Sequence, residues 1–429
     1  MSQGATFGRP ADDMMSSQRI DFANPNTPWL LRTFSAVTRP FADRLFSLDA
    51  EELVATARAR SGLDDFGPPH WRHQYDLLLR ALNSEADMSP LGRYNARDGL
   101  LSLLEARLKA ERLLVDHPEI LDVPIKAPII IYGLPRTGTT LLQRLIARDE
   151  GLRHLKYWES ENPMPLGSVE KPLPEPDPRI RKAKIRLALL HWAAPMVVAM
   201  HEMKAEEADE ELWLMAMDFA SFFFTGGYFV PSYTDWLANA DLTESYRYLY
   251  KMLQIMQWYR PGERWVLKSP QHLGHVRALL NVFPDATLVQ THRDPCTAIG
   301  SIISTVAYAA RFNTDRPNPL AIGQSLNGML EGMLRESIEQ RPADDDRFVD
   351  VHFRTLVADP IAEVRRIYAH AGRELAADTE AAMRRYLAEE RSNGHAKHVY
   401  DLADFGLDHA ERRQALRFYS ERFNVPDDR

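Results

Sequence analysis

Apolar residues recur at intervals of three and four along the stretch from Asp49 to about Asp116. This spacing brings them onto one face of a helix. The first segment, 49–62, begins with acidic residues and ends at a glycine, as helix termini favour. The pattern therefore predicts a series of helices ahead of any chemical motif.

At Ala127 the pattern changes to a short, continuous apolar run. The segment APIIIYG is typical of a buried strand, and after a glycine turn TTLLQRLIARD again repeats apolar residues at helical spacing. Three later stretches, 264–283, 286–308 and 347–372, have the same order of strand, turn and helix. Repetition of this unit predicts an α/β fold in which a P-loop-type parallel sheet is flanked by helices.

These patterns divide the chain into a helical N-terminal region, 1–126, and a P-loop domain, 127–429. Residues 1 to about 45 contain several prolines and turn formers, which predicts a loosely structured arm. An insertion at about 160–260 separates the first two strand–helix units. It starts as proline-rich loop and continues as aromatic-rich helix, and we interpret it as the part that binds the acceptor of a reaction.

Composition and charge narrow the possible functions. Hydrophobic residues make up 45% and charged residues 26% of the chain, as in ordinary globular proteins. The formal net charge of −8 argues against a general nucleic-acid binder, which needs a basic surface. The single cysteine, Cys296, excludes an intrachain disulfide framework. Since no apolar leader is visible at the N-terminus either, we expect a reducing, cytoplasmic location.

The most apolar stretch of the chain runs from Leu212 to Val230. Its length is compatible with a membrane span. However, Asp218 and a glycine pair interrupt it, and acidic residues precede it. The stretch is therefore predicted to be a buried helix or a pocket wall, and no membrane span is expected.

The segment GLPRTGTT at 133–140 has the G-x-x-x-x-G spacing of a phosphate-binding P-loop. Backbone N–H groups of such a loop and the positive end of the following helix face an anion. Nucleotide triphosphatases have lysine where Thr139 stands, and that lysine reaches the β- and γ-phosphates. Here the cation, Arg136, lies inside the loop, which suits a donor with two linked anionic groups. The candidate anion-binding residues are Pro135, Arg136, Thr137, Gly138, Thr139 and Thr140.

The longer segment YGLPRTGTTLLQRLI resembles the 5′-phosphosulfate loop of the sulfotransferase family, in particular of the bacterial and tyrosylprotein-type branch with its P-R-[ST]-G-T-T loops. The stretch THRDPCTAIGS supplies Arg293 at a strand end and Ser301 eight residues later, the spacing at which this family holds a 3′-phosphate. The pattern at 398–425 also resembles the family's C-terminal segments. Taken alone, Arg293 could equally pair with Asp294 or another acidic residue.

This resemblance covers about 127–425 and implies an enzyme. The family transfers a sulfuryl group from 3′-phosphoadenosine-5′-phosphosulfate, a co-substrate that needs no metal, to a hydroxyl or amine acceptor. Two other functions remain possible from the residues: a P-loop kinase or nucleotide triphosphatase, and a non-catalytic nucleotide-binding relative. The absent loop lysine at Thr139 argues against the first of these.

The resemblance also suggests which residues carry the chemistry. Lys268 directly follows an apolar run, so its side chain is expected to point into the cleft. The family's lysine at this position stabilises the leaving phosphate, and Arg136 is expected to assist. The cytosolic branch has a histidine base two residues later, but this chain has Pro270 there.

The tyrosylprotein-type branch uses a glutamate base about two dozen residues after the loop arginine. Glu159 is the best match, although it lies two residues late. A carboxylate beside aromatic side chains is partly desolvated, which raises its pKa towards that of a useful base. Alternative bases are Glu161, His272 and His201, and Glu159 is equally compatible with a surface carboxylate.

Aromatic residues of the insertion are candidate walls of the acceptor site. An apolar pocket suits a phenol, an alcohol or a lipid-like acceptor better than a polyanionic sugar. The sequence does not indicate an oligomeric state. The candidate wall residues are Trp213, Phe219, Phe222, Phe223, Phe224, Tyr228, Phe229 and Trp236.

Overall fold

The computed structural model describes residues 20–25, 27–200, 203–393 and 400–428. The strands are β1 (Ile129–Gly133), β2 (Leu152–His154), β3 (Arg264–Lys268), β4 (Thr287–His292) and β5 (Phe348–His352). The helices up to β3 are α1 (Trp29–Thr38), α2 (Ala42–Leu45), α3 (Ala50–Ser61), α4 (Trp71–Ser84), α5 (Pro90–Asp116), α6 (Thr139–Ile146), α7 (Tyr157–Glu161), α8 (Pro178–Ala193), α9 (Pro195–Met200), α10 (Leu212–Ala216), α11 (Phe222–Gly227), α12 (Pro231–Asn239) and α13 (Thr243–Tyr259). The helices after β3 are α14 (Val276–Val282), α15 (Pro295–Ala310), α16 (Pro319–Gln340), α17 (Phe353–Ala358), α18 (Pro360–His370), α19 (Ala377–Asn393), α20 (His409–Ala415) and α21 (Arg417–Arg422).

The five strands form one parallel sheet in the order β2-β3-β1-β4-β5. Strand β1 is central, and its residues are buried throughout because helices cover both faces of the sheet. The parallel pairing brings the carboxyl ends of β1, β3 and β4 to the same edge, where open α/β sheets bind ligands. This arrangement confirms the predicted α/β fold with a parallel sheet flanked by helices.

Alternate residues of each strand belong to two different cores. Ile129 and Ile131 face the smaller core, which includes α6 and α18. Ile130 and Tyr132 face the larger core, which also contains residues of α3, α4, α5 and the insertion. The N-terminal helices therefore share one hydrophobic core with the sheet. The domain boundary at residue 126 stays a prediction.

Local signals of the sequence set several element boundaries. Helix α3 starts after Asp49, whose side chain accepts a hydrogen bond from the backbone of Glu52, and it ends at Gly62 in the left-handed region. Strand β2 was missed because its three residues carry no strand pattern of their own. The predicted loose arm was wrong over 29–45, where α1, a 3₁₀ turn and α2 form.

The apolar stretch Leu212 to Val230 forms two short helices, α10 and α11, joined by a turn. Asp218 lies in that turn and is completely buried beside Arg107 of α5, with 3.0 Å between the charged groups. In the part of the chain that the structure describes, no helix is both long and apolar enough to cross a bilayer.

Candidate active site

The loop 134–138 connects the end of β1 to the start of α6. Two of its residues have left-handed backbone conformations: Arg136 with φ +71° and Gly138 with φ +92°. A Cβ atom on Gly138 would lie only 2.8 Å from Cδ2 of Leu356, so glycine is required there for close packing as well as for conformation. The loop curls around the N-terminus of α6, which begins at Thr139.

Hydrogen bonds fix this loop to the neighbouring strand. The Thr137 hydroxyl donates to the Leu134 carbonyl at 2.6 Å and also lies 2.6 Å from the hydroxyl of Thr291 in β4. Thr137 is almost completely buried. Because β4 leads directly into Arg293, the same contacts fix the loop relative to Arg293.

Two guanidinium groups are brought together at this edge of the sheet. Nη1 of Arg293 donates to the backbone carbonyl of Arg136 at 3.0 Å, and the Arg293 guanidinium lies 4.3 Å from the ring centre of Phe353. Burial lowers the pKa of Arg136, and the nearby charge of Arg293 lowers it further. Like charges in a partly dry site favour the binding of an anion between or beside them.

Arg293 is also paired with an acidic residue. Its Nε lies 2.7 Å from a carboxylate oxygen of Asp428. The backbone N–H of Asp428 donates to Asp294 at 2.9 Å, so the segment around Asp428 lies against the start of α15. The predicted alternative of acid pairing therefore occurs, but with Asp428 and not with Asp294.

Ser301 lies on the second turn of α15, the helix that Arg293 and Asp294 precede, and it is half-buried. Its backbone carbonyl accepts hydrogen bonds from Ser304 and Thr305. The structure thus brings Arg293 to the P-loop and puts Ser301 further along the same helix.

Lys268 ends β3 next to the P-loop strand, where it pairs in register with Ile131. Its side chain is 1% exposed. The Nζ atom forms an ion pair with Glu210 and lies 3.5 Å from the Thr140 hydroxyl on the first turn of α6. The predicted cleft lysine is therefore next to the candidate anion loop.

A buried hydrogen-bond network supports Lys268 from behind. Glu211 accepts the Lys268 backbone N–H at 3.0 Å with one oxygen and contacts Nε2 of His272 at 2.7 Å with the other. Nδ1 of His272 lies 2.7 Å from the Tyr246 hydroxyl. Both ring nitrogens of His272 are thus engaged and the ring is fully buried, so this residue holds the strand end and is poorly suited to act as a base.

Both carboxylate oxygens of Glu159 are paired with cationic groups. Its oxygens lie 2.7 and 3.1 Å from the Arg153 guanidinium, and one of them also accepts the Lys156 backbone N–H at 3.2 Å. Arg260 is a second cation at 3.4 Å. These partners lower the pKa of Glu159 although burial opposes them. The expected raised pKa is therefore wrong for this carboxylate, because the sequence does not reveal the two arginines.

The other alternative bases have different surroundings. Glu161 is buried with its pKa raised by desolvation, and it forms an ion pair with Arg186 at 2.7 Å. His201 lies outside the described residues. Sequence reasoning missed Glu210, which is only 16% exposed on its side chain and contacts Lys268 directly. Its only signal was its place among the acidic residues that precede the apolar stretch from Leu212.

The aromatic residues of the insertion divide into core and surface. Phe219, Phe222 and Phe224 are buried in the larger core. Trp213 and Phe223 are partly buried and in contact, with 3.9 Å between ring centres and 39° between ring planes. Tyr228 and Phe229 line a small cavity beside Val306 and Ala310 of α15, and Trp236 packs partly buried against the core. A ligand can therefore reach only the partly buried rings of this set, which are Trp213, Phe223, Tyr228, Phe229 and Trp236.

No group of three or more metal-ligating side chains is found within the described ranges. The candidate site consists of the loop 134–138, two arginines, one buried lysine and several carboxylates. Such a set can hold an anionic donor, stabilise a charged leaving group and accept a proton.

Comparison with known proteins identifies related chains. A family model described as the sulfotransferase family matches residues 128–377. Sulfotransferase STF9 from Mycobacterium avium has 30% identity and a TM-score of 0.76, covering 88% of this chain and 97% of that one. Sulfotransferase STF1 from Mycobacterium tuberculosis H37Rv has 32% identity and a TM-score of 0.73, covering 86% and 98%.

A further relative has a named reaction. The omega-hydroxy-beta-dihydromenaquinone-9 sulfotransferase Stf3 of Mycobacterium bovis is 27% identical over 265 residues, which are 57% of this chain. The match spans 62% of the relative, so the chain covers about three fifths of the length of that curated protein.

Proposed function

The chain belongs to the sulfotransferase family, and from that membership we propose that it transfers a sulfuryl group from 3′-phosphoadenosine-5′-phosphosulfate to a hydroxyl or amine acceptor. The main support for the proposal is that Arg136 and Arg293 lie close together at the carboxyl ends of β1 and β4, beside the N-terminus of α6. Two cations and a helix N-terminus suit a donor with separated anionic groups.

The donor's phosphosulfate belongs, in this proposal, on the loop Pro135–Thr140, with Arg136 and the backbone N–H groups as ligands. Arg293 and Ser301 take the 3′-phosphate, for which Arg293 must exchange its contact with Asp428. The left-handed backbone at Arg136 and Gly138 supports this role, since such turns point successive N–H groups towards an anion.

Lys268 is proposed to stabilise the leaving phosphate. A bond forms between the acceptor oxygen and sulfur while the bond from sulfur to the bridging oxygen of the 5′-phosphate breaks. Negative charge then develops on that bridging oxygen, and a buried ammonium group next to the loop lowers its energy. The 3.5 Å contact between Lys268 and the Thr140 hydroxyl supports this placement.

The acceptor's proton must pass to a base as the new bond forms. We propose Glu210 for this role, ahead of Glu159, because Glu210 lies beside the proposed leaving-group lysine, whereas Glu159 lies beside Arg153 and Arg260. In this proposal Lys268 exchanges its ion pair with Glu210 for the bridging oxygen of the donor, which leaves the Glu210 carboxylate able to accept the proton. Proton transfer requires hydrogen-bond reach to the acceptor, and a carboxylate beside the leaving-group lysine has that position. Glu159 then serves to fix α7 beside the site.

The acceptor is proposed to be lipid-like and to lie along Trp213, Phe223, Tyr228 and Phe229. These four rings are partly exposed, and Tyr228 and Phe229 line the small cavity beside α15. The lipid-quinone substrate named for the Mycobacterium bovis relative supports the same class of acceptor. We also retain the cytoplasmic location and the boundary at residue 126 as parts of this proposal.

The direct test is incubation with donor carrying labelled sulfur and a panel of phenols, sterols, hydroxylated lipids and peptides. We expect label to reach an apolar hydroxyl acceptor, and the substitution Lys268→Met to slow the transfer by about 100- to 1000-fold. Lys126→Met, at an exposed lysine before β1, is the matched control and should leave the rate unchanged. Transfer of phosphate from ATP, with no sulfate transfer to any acceptor, would overturn the proposal.

A further inference from the structure

Helix α8 presents an apolar stripe to solvent. Ile185, Leu189 and Trp192 are 51%, 59% and 48% exposed. Their spacing of four and three residues puts them on one side of the helix. Three large apolar side chains aligned in this way on a surface indicate contact with something outside the chain.

Cations border this stripe on both sides. Residues 178–193 contain three arginines and two lysines besides a histidine, and no aspartate or glutamate. At 3.6 residues per turn, Lys182 and Arg186 lie on one side of the stripe, and Arg181 and Lys184 lie on the other. An apolar stripe between basic borders is the pattern of a helix that lies in the interface of a membrane.

Not all of this positive charge is neutralised within the protein. Arg179, Lys184 and Arg186 are paired with Asp177, Glu206 and Glu161, respectively. Lys182 donates to the neutral side chain of Asn162, and among the described residues Arg181 forms no ion pair. Five cations against three carboxylates leave this surface positive in a protein whose net charge is −8.

The inner side of α8 is anchored to other parts of the insertion. Arg179 is buried and donates to the carbonyls of Asn162 and Pro163, and Ala183 is fully buried. The Arg186 guanidinium lies 5.5 Å from the ring centre of Trp213. The side chain of Arg186, at the border of the stripe, therefore links the stripe to Trp213, one of the proposed acceptor-binding rings.

We propose that α8 docks this protein on the surface of an anionic lipid bilayer, with Ile185, Leu189 and Trp192 inserted between headgroups. Charge complementarity selects this partner: the basic borders attract anionic lipids, whereas the acidic remainder of the protein is repelled and keeps α8 facing the bilayer. A second copy of the chain fits less well, since a two-fold contact would set the positive borders of two α8 helices against each other.

The experiment is flotation of the full chain with vesicles of phosphatidylcholine, alone or with about one third phosphatidylglycerol. We expect binding to the anionic vesicles, with weaker binding at high salt, and little binding to the neutral ones. The triple substitution Ile185→Ser, Leu189→Ser and Trp192→Ser should lower the bound fraction at least tenfold, and Arg181→Gln with Lys182→Gln should lower it several-fold.

A matched control removes three other exposed apolar side chains: Val115→Ser, Leu320→Ser and Val357→Ser, at residues that are 65%, 51% and 46% exposed. It should bind vesicles within twofold of the wild type, and thermal unfolding should be similar for all variants. Wild-type failure to bind, or equal binding by the triple α8 variant, overturns the proposal. So does self-association that needs the α8 stripe in the absence of vesicle binding. Since vesicle binding requires no turnover, its outcome is separate from that of the sulfuryl-transfer test.

Discussion

Different interactions stabilise two regions of the molecule, the sheet edge that carries Arg136 and Arg293 and the aromatic insertion. At the sheet edge, charged and polar groups are buried and joined by directional hydrogen bonds, such as those of Thr137 with Leu134 and Thr291. In the insertion, ring contacts such as that between Trp213 and Phe223 lie nearer the surface. Hydrogen bonds fix the positions of individual charged groups. Ring packing determines the shape of a surface and places few polar groups on it.

This difference explains why the proposed donor site indicates a specific ligand, whereas the proposed acceptor site indicates only a class of ligands. An anion with two charged ends has to match both Arg136 and Arg293, and the Arg293 guanidinium is held on the backbone carbonyl of Arg136. An apolar acceptor has to match only the form of a surface. The four predictions that follow test whether the two sides can be altered separately.

The largest effect is expected from the proposed base. Glu210→Gln should lower kcat by about 100- to 10,000-fold while the affinity for donor changes little, because general-base catalysis contributes on that scale. Single-turnover sulfate transfer measures it.

Glu159→Gln is the matched comparison for the base. This substitution breaks a buried pair with Arg153 and Arg260, so it should reduce stability more than it reduces the chemical step in the molecules that remain folded. A larger loss of kcat in Glu159→Gln than in Glu210→Gln, at equal folded fraction, would return the base to Glu159.

The next effect concerns the donor side alone. Arg293→Gln should weaken the binding of adenosine 3′,5′-bisphosphate by about 10- to 100-fold, since a charge-assisted hydrogen bond to phosphate is lost. Asp428→Asn should strengthen it, because Asp428 then no longer competes for Arg293. Titration calorimetry gives both values, and the acceptor KM should move in neither variant.

A smaller effect is expected on the acceptor side. Trp213→Ala should raise the acceptor KM by roughly tenfold with the donor KM unchanged, as expected for the loss of one large contact ring. Steady-state kinetics with each substrate varied in turn gives the two constants. Parallel changes in both would show that the two sides are not separable.

The fourth prediction concerns folding stability, at the contact between His275 and Leu237 of the insertion. Burial lowers the pKa of His275 to about 4, and its ring is hydrogen-bonded to the backbone of Leu237 in the insertion. Between the ordinary histidine pKa of 6.5 and the folded value, the unfolded chain binds more protons than the folded one, so the free energy of unfolding falls as pH falls through that range.

This pH dependence has a measurable size. At pH 5 the contribution of His275 is a loss of about 2 kcal/mol relative to pH 7. Urea unfolding at the two pH values should show a smaller difference for His275→Gln than for the wild type. An unchanged difference contradicts the assignment. His154, whose pKa burial also lowers to about 4, provides a second histidine for the same test.

The sequence predicted the parts of the site that local patterns encode. The P-loop follows β1, Arg293 follows β4 and Lys268 is the last residue of β3, and a strand end can be recognised from its own few residues. The contacts that decide their chemistry cannot be recognised in this way. Lys268 meets Glu210 across 58 positions, and Arg293 meets Asp428 across 135.

The same reason explains why the pKa of Glu159 was predicted to shift in the wrong direction and why His272 stayed open as an alternative base. A carboxylate beside Tyr157 and Trp158 has the pattern of a desolvated base, but Arg260, far along the chain, adds to the charge that stabilises it. His272 was considered because it lies one turn after Lys268, and only the fold shows that Glu211 and Tyr246 engage both ring nitrogens. Residue type and spacing predict position along an element, whereas protonation depends on neighbours from elsewhere in the chain.

The central claim is that the sheet edge binds a phosphosulfate donor and not a nucleoside triphosphate. Titration of the protein with adenosine 3′,5′-bisphosphate and with ATP, each with and without Mg²⁺, tests it most directly. We expect tight, magnesium-independent binding of the bisphosphate and binding of ATP that is weaker by about 100-fold, as loss of a matched phosphate contact implies. Equal or tighter binding of ATP that requires Mg²⁺ would contradict it.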